Sequence, residues 1–282
     1  MIRHYLTGCH KLPCATVALF FIFWFCFICH CYSYWITTTQ QRVIEQNEIS
    51  QLLNTTQRFI TERNQLSRFL NKMKQILGKQ ECNSGAVSGS DGWCKNDNSV
   101  DSKEYQTDFQ LAEYLSQFLK GKHVGSFGDG PGLYKKYIDE TNLLKVYDAY
   151  DGSPFAEVSS EGSVKFLDFS ITQYSLPIYD WVISIEAAEH IPRKYEGIFL
   201  SNLVRHARTG IILSWATPEQ VGRFHVNNRP LQYVTDVMKK LRFDQDKAGS
   251  LLLQSHASFI WLKNNTHIYY RQNNSHIDIN YA

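Results

Sequence analysis

Gly128-Asp129-Gly130-Pro131-Gly132 is the densest glycine stretch of the chain. Glycines two apart let a backbone approach a bound group closely. A strand running through such a turn into a helix is where a phosphate, a dinucleotide or a sulfonium cofactor sits. A dinucleotide fingerprint reads G-x-G-x-x-G, and Leu133 stands where its last glycine belongs. No Gly-Lys-Ser/Thr follows, so a phosphate P-loop is excluded as well. The Asp129 carboxylate inside the turn would repel a pyrophosphate. It would not repel a zwitterionic amino acid carried on a cationic sulfur. The turn therefore favours S-adenosylmethionine (SAM) over NAD or ATP, and taken alone it also fits a purely structural turn.

The acids further along sharpen this reading. Asp151 follows Gly132 by 19 residues, after an apolar strand, where such folds grip ribose hydroxyls. Gly152 opens the turn that follows it, and Asp148 ranks behind it. Asp168 could meet the adenine amino group or serve as a helix cap, and Phe169 beside it joins the cofactor set. Glu186 suits the cofactor's amino group. Methyl transfer from a sulfonium is an in-line displacement that needs alignment and, for a hydroxyl nucleophile, removal of a proton. Glu189, His190 and His225 are the candidates for that step, since a histidine titrates near neutrality. Each histidine has a plain alternative, as a helix-start residue that caps or packs (His190) or a loop residue bonded to backbone (His225). Asn227 and Asn228 share the His225 loop, and Trp215 is a wall of the methyl site or a core residue. Outside the apolar N-terminal segment there is no H-E-x-x-H and no paired C-x-x-C, so no metal site is expected.

These residues need a scaffold that brings strand ends together. Strands are expected at 122–127, 144–149, 164–167, 181–185 and 210–215, with two or three late ones among 251–254, 259–262 and 267–270. Helices are expected at 193–208 and 230–241, after an opening helix with Phe109, Ala112, Leu115 and Leu119 on one face that ends at Gly121. Such alternation means an α/β fold with a parallel, doubly wound sheet. Ligands then sit at the carboxyl ends of the strands, and the acids named above lie there.

Read in order, HVGSFGDGPGLY, VYDAYDGSPF, VKFLDF and YDWVISIEAAEHIP resemble the class I SAM-dependent methyltransferases. More narrowly, GDGPG, YDAYDGSP, EAAEHIP, LSWA and HVNN resemble the animal methyltransferase-like family, its twenty-fourth member group, whose members are single-pass membrane proteins. The resemblance covers about 104–270. It implies a Rossmann-like sheet of seven strands with the last antiparallel, SAM as cofactor and methyl transfer as activity. The chain departs from the general class pattern at Ser126, which stands where an acid two residues before the first glycine is usual. Asp129 partly substitutes for that acid in this reading.

The remaining sequence sets the context. Residues 12–36 supply the roughly 20 apolar residues that cross a bilayer, ending in a Tyr- and Trp-rich belt, which favours an uncleaved signal anchor over a cleaved signal. Arg3 and Lys11 before it orient the tail of 1–11 to the cytoplasm and the rest to the lumen of the Golgi or ER. Leu52, Phe59, Leu66 and Met73 recur every seven residues in a helical stem, 37–80, which either pairs two copies or lies on the domain. A Gly/Ser/Asn/Asp-rich linker, 81–102, precedes the domain of 103–282. Cys82 and Cys94 are an even pair that an oxidising lumen would join. Sequons at Asn54, Asn264 and Asn273 permit glycosylation. With a net charge of +2 and no basic stripe, the 282-residue chain has no electrostatic case for nucleic-acid binding. The acceptor substrate is open. A glycosyltransferase using Asp244-Gln245-Asp246 as a D-x-D metal motif, and a non-catalytic binding module on the same fold, are the competing readings.

Overall fold

The computed structural model describes residues 14–85, 94 and 107–272. The tail of 1–11, the Asn273 sequon and most of the linker, with the first residues of the domain after it, lie outside these. The chain divides into two compact units, Met1–Glu62 and Arg63–Ala282. One helix, α1 (Cys14–Asn83), supplies the described part of the first and opens the second.

In the first unit, Phe21, Phe23, Phe25, Phe27, Trp24 and Trp35 are all exposed, so this stretch of helix is apolar all round. Among the described residues α1 is the one helix long and apolar enough to cross a membrane, by length and composition. Where the apolar run ends, the hydroxyls of Ser33, Thr37 and Thr38 donate to the carbonyls of Cys29, Ser33 and Tyr34, four residues back. Leu52 and Phe59 of the heptad series are exposed.

The second unit carries a seven-stranded sheet in the order β3-β2-β1-β4-β5-β7-β6. Its strands are β1 (His123–Phe127), β2 (Val146–Asp151), β3 (Val164–Phe166), β4 (Tyr179–Ser184), β5 (Ala207–Ser214), β6 (Phe243–Asp246) and β7 (Thr266–Arg271). The first five pair in parallel, and β7 runs antiparallel between β5 and β6. This is the expected Rossmann-like, doubly wound arrangement. Helices α2 (Phe109–Phe118), α3 (Leu133–Thr141), α4 (Ala156–Ser159), α5 (Glu196–His206), α6 (Leu231–Lys240), α7 (Lys247–His256) and α8 (Ile260–Asn265) complete it.

Because side chains alternate along a strand, each central strand feeds two cores. Val182, Ile211, Leu213 and Tyr269 join Phe127, Phe199 and Met238 in one, while Trp181, Ile183, Ile212 and Ile268 join Leu111, Leu115 and Leu253 in the other. Asp108 fastens α2 into the second core. Its Oδ1 accepts from Leu111 N as an N-cap, and its Oδ2 accepts from Ser258 N (2.6 Å) and Phe259 N (2.9 Å) in the α7–α8 turn.

Several sequence expectations need correction. Phe109 is exposed, and Leu111 takes its place on the buried face of α2. The expected strands at 251–254 and 259–262 are parts of helices α7 and α8, and the edge strand β6 went unread. The run Leu251-Leu252-Leu253 is too short to distinguish strand from helix by periodicity. In the fold only Leu253 is buried, while Leu251 and Leu252 face out. Only the first turn of the helix expected over 193–208 is 3-10, and Ala207 and Arg208 already belong to β5. The D-x-D spelling has a structural use: Asp246 Oδ1 caps α7 by accepting from Gly249 N, and Asp244 accepts from Gln272 Nε2. Cys82 and Cys94 form a disulfide with a Cα–Cα distance of 5.5 Å.

The last residues of α1 pack within the second unit, a feature the sequence did not disclose. Asn71 Oδ1 accepts from Asp168 N (2.9 Å), and Asn71 Nδ2 donates to Gln173 Oε1 (2.7 Å). Lys74 Nζ lies 3.6 Å from Asp168 Oδ2, and Gln75 donates to Glu157 and to the Pro154 carbonyl. The Arg63 guanidinium stacks 4.1 Å from the Tyr174 ring centre.

Candidate functional site

The glycine turn follows β1 and leads into α3. Gly128 and Gly132 both have left-handed backbone, at φ +96° and +87°, which costs a side-chain-bearing residue about 1–2 kcal/mol. Space is as tight as conformation. A Cβ on Gly128 would fall 2.4 Å from the Ala187 Cβ, and one on Gly132 would fall 2.9 Å from Val164 Cγ2. The turn is therefore pressed against the segment after β4 on one side and β3 on the other. Gly128 N and Asp129 N both donate to the Tyr150 carbonyl, at 2.8 and 3.0 Å, tying it to β2.

Asp151 closes this link. Its Oδ2 accepts from Gly130 N (2.8 Å) and its Oδ1 from Ser153 N (2.8 Å). The carboxylate at the end of β2 thus lies at the glycine turn, with Gly152 between its two anchors. Asp148 instead accepts from the Tyr179 hydroxyl. Asp129 points into the protein. It accepts from the hydroxyls of Ser126 (2.6 Å) and Tyr147 (2.8 Å) and from Lys135 N (3.2 Å) at the start of α3. Burial pushes its carboxyl up to about 6, against the pull of these three donors. Asp168 is also buried. Its Oδ1 accepts from Ser170 N (2.7 Å), and Lys74 pairs with its other oxygen, while Phe169 stacks on Phe127 in the core.

Beyond β4 the backbone is held in a rare conformation at Glu186, φ +52°. Glu186 N donates to Ser214 Oγ (2.6 Å), whose hydroxyl returns a bond to Glu186 Oε1 (2.9 Å). Asn265 Nδ2 and Gln220 Nε2 donate to its two oxygens, each at 2.9 Å. Burial still raises its carboxyl above the usual range. Ser214, Gln220 and Asn265 were not singled out by sequence reasoning; as single polar residues on three separate elements they carry no motif.

Glu189, His190 and His225 are brought together. The Glu189 carbonyl accepts from Val226 N (2.9 Å) and Asn227 N (3.0 Å), which zips the segment after β4 to the loop after β5. The His190 and His225 rings stand perpendicular, 5.1 Å between centres, and one ligand-capable atom from each of the three side chains lies within 4.8 Å of the others. Glu189 is fully buried, and neither carboxylate oxygen is in a hydrogen bond of normal geometry, the amides of Glu189 and Ala216 being its only near donors. Burial drives its carboxyl well above the usual range, and the Glu186 charge adds to this. Burial lowers His190 to about 4, and His225 pushes the same way. His225 Nδ1 faces the Gln220 carbonyl at 3.1 Å.

The His225 loop is anchored from beneath. Trp215 Nε1 donates to the Asn227 carbonyl (2.6 Å), so Trp215 is a buried core residue with a structural bond. Glu196 Oε2 accepts from Asn227 Nδ2 (3.0 Å) and Arg229 Nε (2.8 Å), while Tyr233 bonds its Oε1. Asn228 Nδ2 donates to the carbonyls of Thr217 and Gln220. Both asparagines thus shape the loop.

No protein-family model matches the chain, and no curated protein matches it. Solved structures do. Magnesium protoporphyrin IX methyltransferase from Synechocystis, solved with bound S-adenosylhomocysteine, is 15% identical, with a TM-score of 0.44 over 58% of this chain and 83% of that one. The sugar N-methyltransferase KedS8 from Streptoalloteichus is 9% identical, with a TM-score of 0.49 over 64% of this chain and 94% of that one. A 1,6-didemethyltoxoflavin-N1-methyltransferase from Burkholderia thailandensis is 12% identical, with a TM-score of 0.44 over 64% of this chain and 84% of that one.

Proposed function

We propose that the chain is a membrane-anchored SAM-dependent methyltransferase of the animal methyltransferase-like type, with its catalytic domain in the lumen of the Golgi or ER. The observation that carries the reading is the Asp151–Gly130 bond, which joins a carboxylate at the end of β2 to a turn of left-handed glycines at the end of β1. A carboxylate there can take two ribose hydroxyls, and the close backbone leaves room for the amino-acid portion of the cofactor. Gly128, Gly130, Gly132, Asp151 and Gly152 would line that site, with Ser126 and Asp129 behind the turn. Asp168, Phe169 and Glu186 complete the proposed cofactor set.

The acceptor's nucleophile would be activated at Glu189, His190 and His225. Gly128 packs on Ala187, two residues from Glu189, so a methyl donor in the turn would have its reactive end near this cluster. The acceptor is a glycan hydroxyl or a secreted protein in this reading. The Cys82–Cys94 disulfide supports an oxidising compartment, and the exposed Asn264 is available to lumenal glycosylation. The exposed Leu66 and Met73 continue the heptad series through which the stem would pair two copies.

Calorimetry of the full chain in detergent with SAM tests the cofactor site. Saturable binding that Asp151→Ala removes is expected, and no binding by the wild type would refute the reading. Loss of the glycan at Asn264 in Asn264→Gln, seen as a gel shift in cells, tests the sidedness.

A further inference from the structure

We propose that Glu189, His190 and His225 bind a divalent transition-metal ion that holds the acceptor's oxygen opposite the methyl donor. The methyl-transfer role rests on the function proposed above; the metal site itself rests on the geometry alone. Three observations support it. The side chains converge, with ligand-capable atoms within 4.8 Å of one another, although His190 and His225 are 35 residues apart in the chain. The Glu189 carboxylate is fully buried, and neither oxygen is in a hydrogen bond of normal geometry, the amides of Glu189 and Ala216 being its only near donors, which costs several kcal/mol unless a proton or a cation neutralises it. His225 Nδ1 faces the Gln220 carbonyl, and the tautomer that donates to it leaves the Nε2 lone pair for a ligand bond. A second bond that fixes the tautomer in this way is what metal-bound histidines use.

The surroundings are built for such a site. Glu186 and Phe224, which precede the ligand segments, both hold left-handed backbone at φ +52° and +60°. The Glu189 carbonyl bonds lock the two segments together. Gly222 leaves no room beside the ring, since a Cβ there would fall 2.1 Å from His225 Nε2. Glu186 adds a second negative charge nearby, but its oxygens are already engaged by Ser214, Gln220 and Asn265. Two imidazoles and one carboxylate suit zinc, iron(II), cobalt or manganese better than magnesium or calcium, which prefer all-oxygen shells. Three protein ligands leave positions open for an acceptor.

The chemistry balances without a further reactant. The ion polarises a bound acceptor hydroxyl, which loses its proton to water. The alkoxide oxygen attacks the methyl carbon of SAM in line, the new C–O bond forms, and the C–S bond breaks with its electron pair moving to sulfur. The products are a methyl ether and neutral S-adenosylhomocysteine. The inferred acceptor is therefore a hydroxylated molecule that can ligate a cation through oxygen.

The test uses the full chain in detergent without a polyhistidine tag, stripped with a chelator and titrated with Co²⁺, while SAM binding is measured on the same samples. One equivalent of Co²⁺ with visible d–d bands is expected. Glu189→Gln, which keeps the volume and removes the charge, and His225→Ala should each weaken Co²⁺ by about tenfold or more, with the melting transition retained. Gly222→Ala keeps all three ligands but places a Cβ 2.1 Å from His225 Nε2, so it should displace that ring and weaken Co²⁺ binding. No Co²⁺, Zn²⁺ or Mn²⁺ uptake by folded wild type, or uptake unchanged in Glu189→Gln and His225→Ala, would overturn the metal site. SAM binding without metal leaves the methyltransferase reading standing and sinks the ion. Metal binding without SAM does the reverse.

Discussion

The Ser126 hydroxyl donates to Asp129 Oδ1 at 2.6 Å, so the acid of the glycine turn and the serine that stands in an acid's usual position form one unit. Asp129 therefore places its charge beside the Ser126 side chain, three residues further along the chain than the class pattern has it. The carboxylate reaches back beneath the turn to the Ser126 hydroxyl.

Asp129 gives a pH prediction. Its carboxyl is raised from 3.8 to about 6 by burial. Between these values the folded chain holds a proton that the unfolded chain releases, so this group lowers stability as pH rises through the window and adds no further change above it. Asp129→Asn removes the titration. Urea unfolding at pH 4 and pH 7 should show the wild type losing up to about 3 kcal/mol relative to the variant. A wild-type-minus-variant difference that is flat with pH would contradict the raised value.

Gly128→Ala should be poorly tolerated. The new methyl meets the Ala187 Cβ at 2.4 Å and sits on left-handed backbone. The cost is about 2–4 kcal/mol from strain and overpacking together. A melting temperature lowered by several degrees, with weaker SAM binding, is the expected result.

Asp151→Asn removes a charge that accepts from Gly130 N and Ser153 N. Charge-assisted bonds contribute roughly 1.5–3 kcal/mol, so SAM affinity measured by calorimetry should fall by about tenfold or more. An unchanged affinity would place the ribose elsewhere.

Glu196→Ala should release the His225 loop. Asn227, Arg229 and Tyr233 all lose their partner at once. Breaking such a buried pair costs about 3–5 kcal/mol. Hydrogen exchange should speed up at the amides of Val226 and Asn227, which bond the Glu189 carbonyl, while the amides of β1 keep their protection.

Asn71→Ala tests the docking of the end of α1. It leaves Asp168 N and the Gln173 side chain without their bonds. A loss of about 1–3 kcal/mol is expected from urea unfolding. No loss would mean that the helix end contributes little to the second unit.

The sheet's first four strands were legible because each is an apolar run ending in an acid or a glycine turn, and the fifth because its apolar run Gly210 to Trp215 follows a helix; these signals are local. The turn itself was legible because left-handed backbone selects glycine, as at Gly128 and Gly132. Leu251–Leu253 misled because a three-residue apolar run carries no period, and only the packing of Leu253 against the sheet makes α7 a helix.

The sequence by itself determined the strand–helix order as far as β5, the glycine turn with Asp151 behind it, and the long apolar helix, since each follows from neighbours in the chain. The tertiary structure alone decided that Asn71 bonds Asp168 and Gln173, that Glu186 is held by Ser214, Gln220 and Asn265, and that Glu189 and His190 meet His225. These contacts join separate elements at the carboxyl ends of strands, and residues so far apart leave no period or spacing to read. Only packing brings a buried carboxylate against two imidazoles.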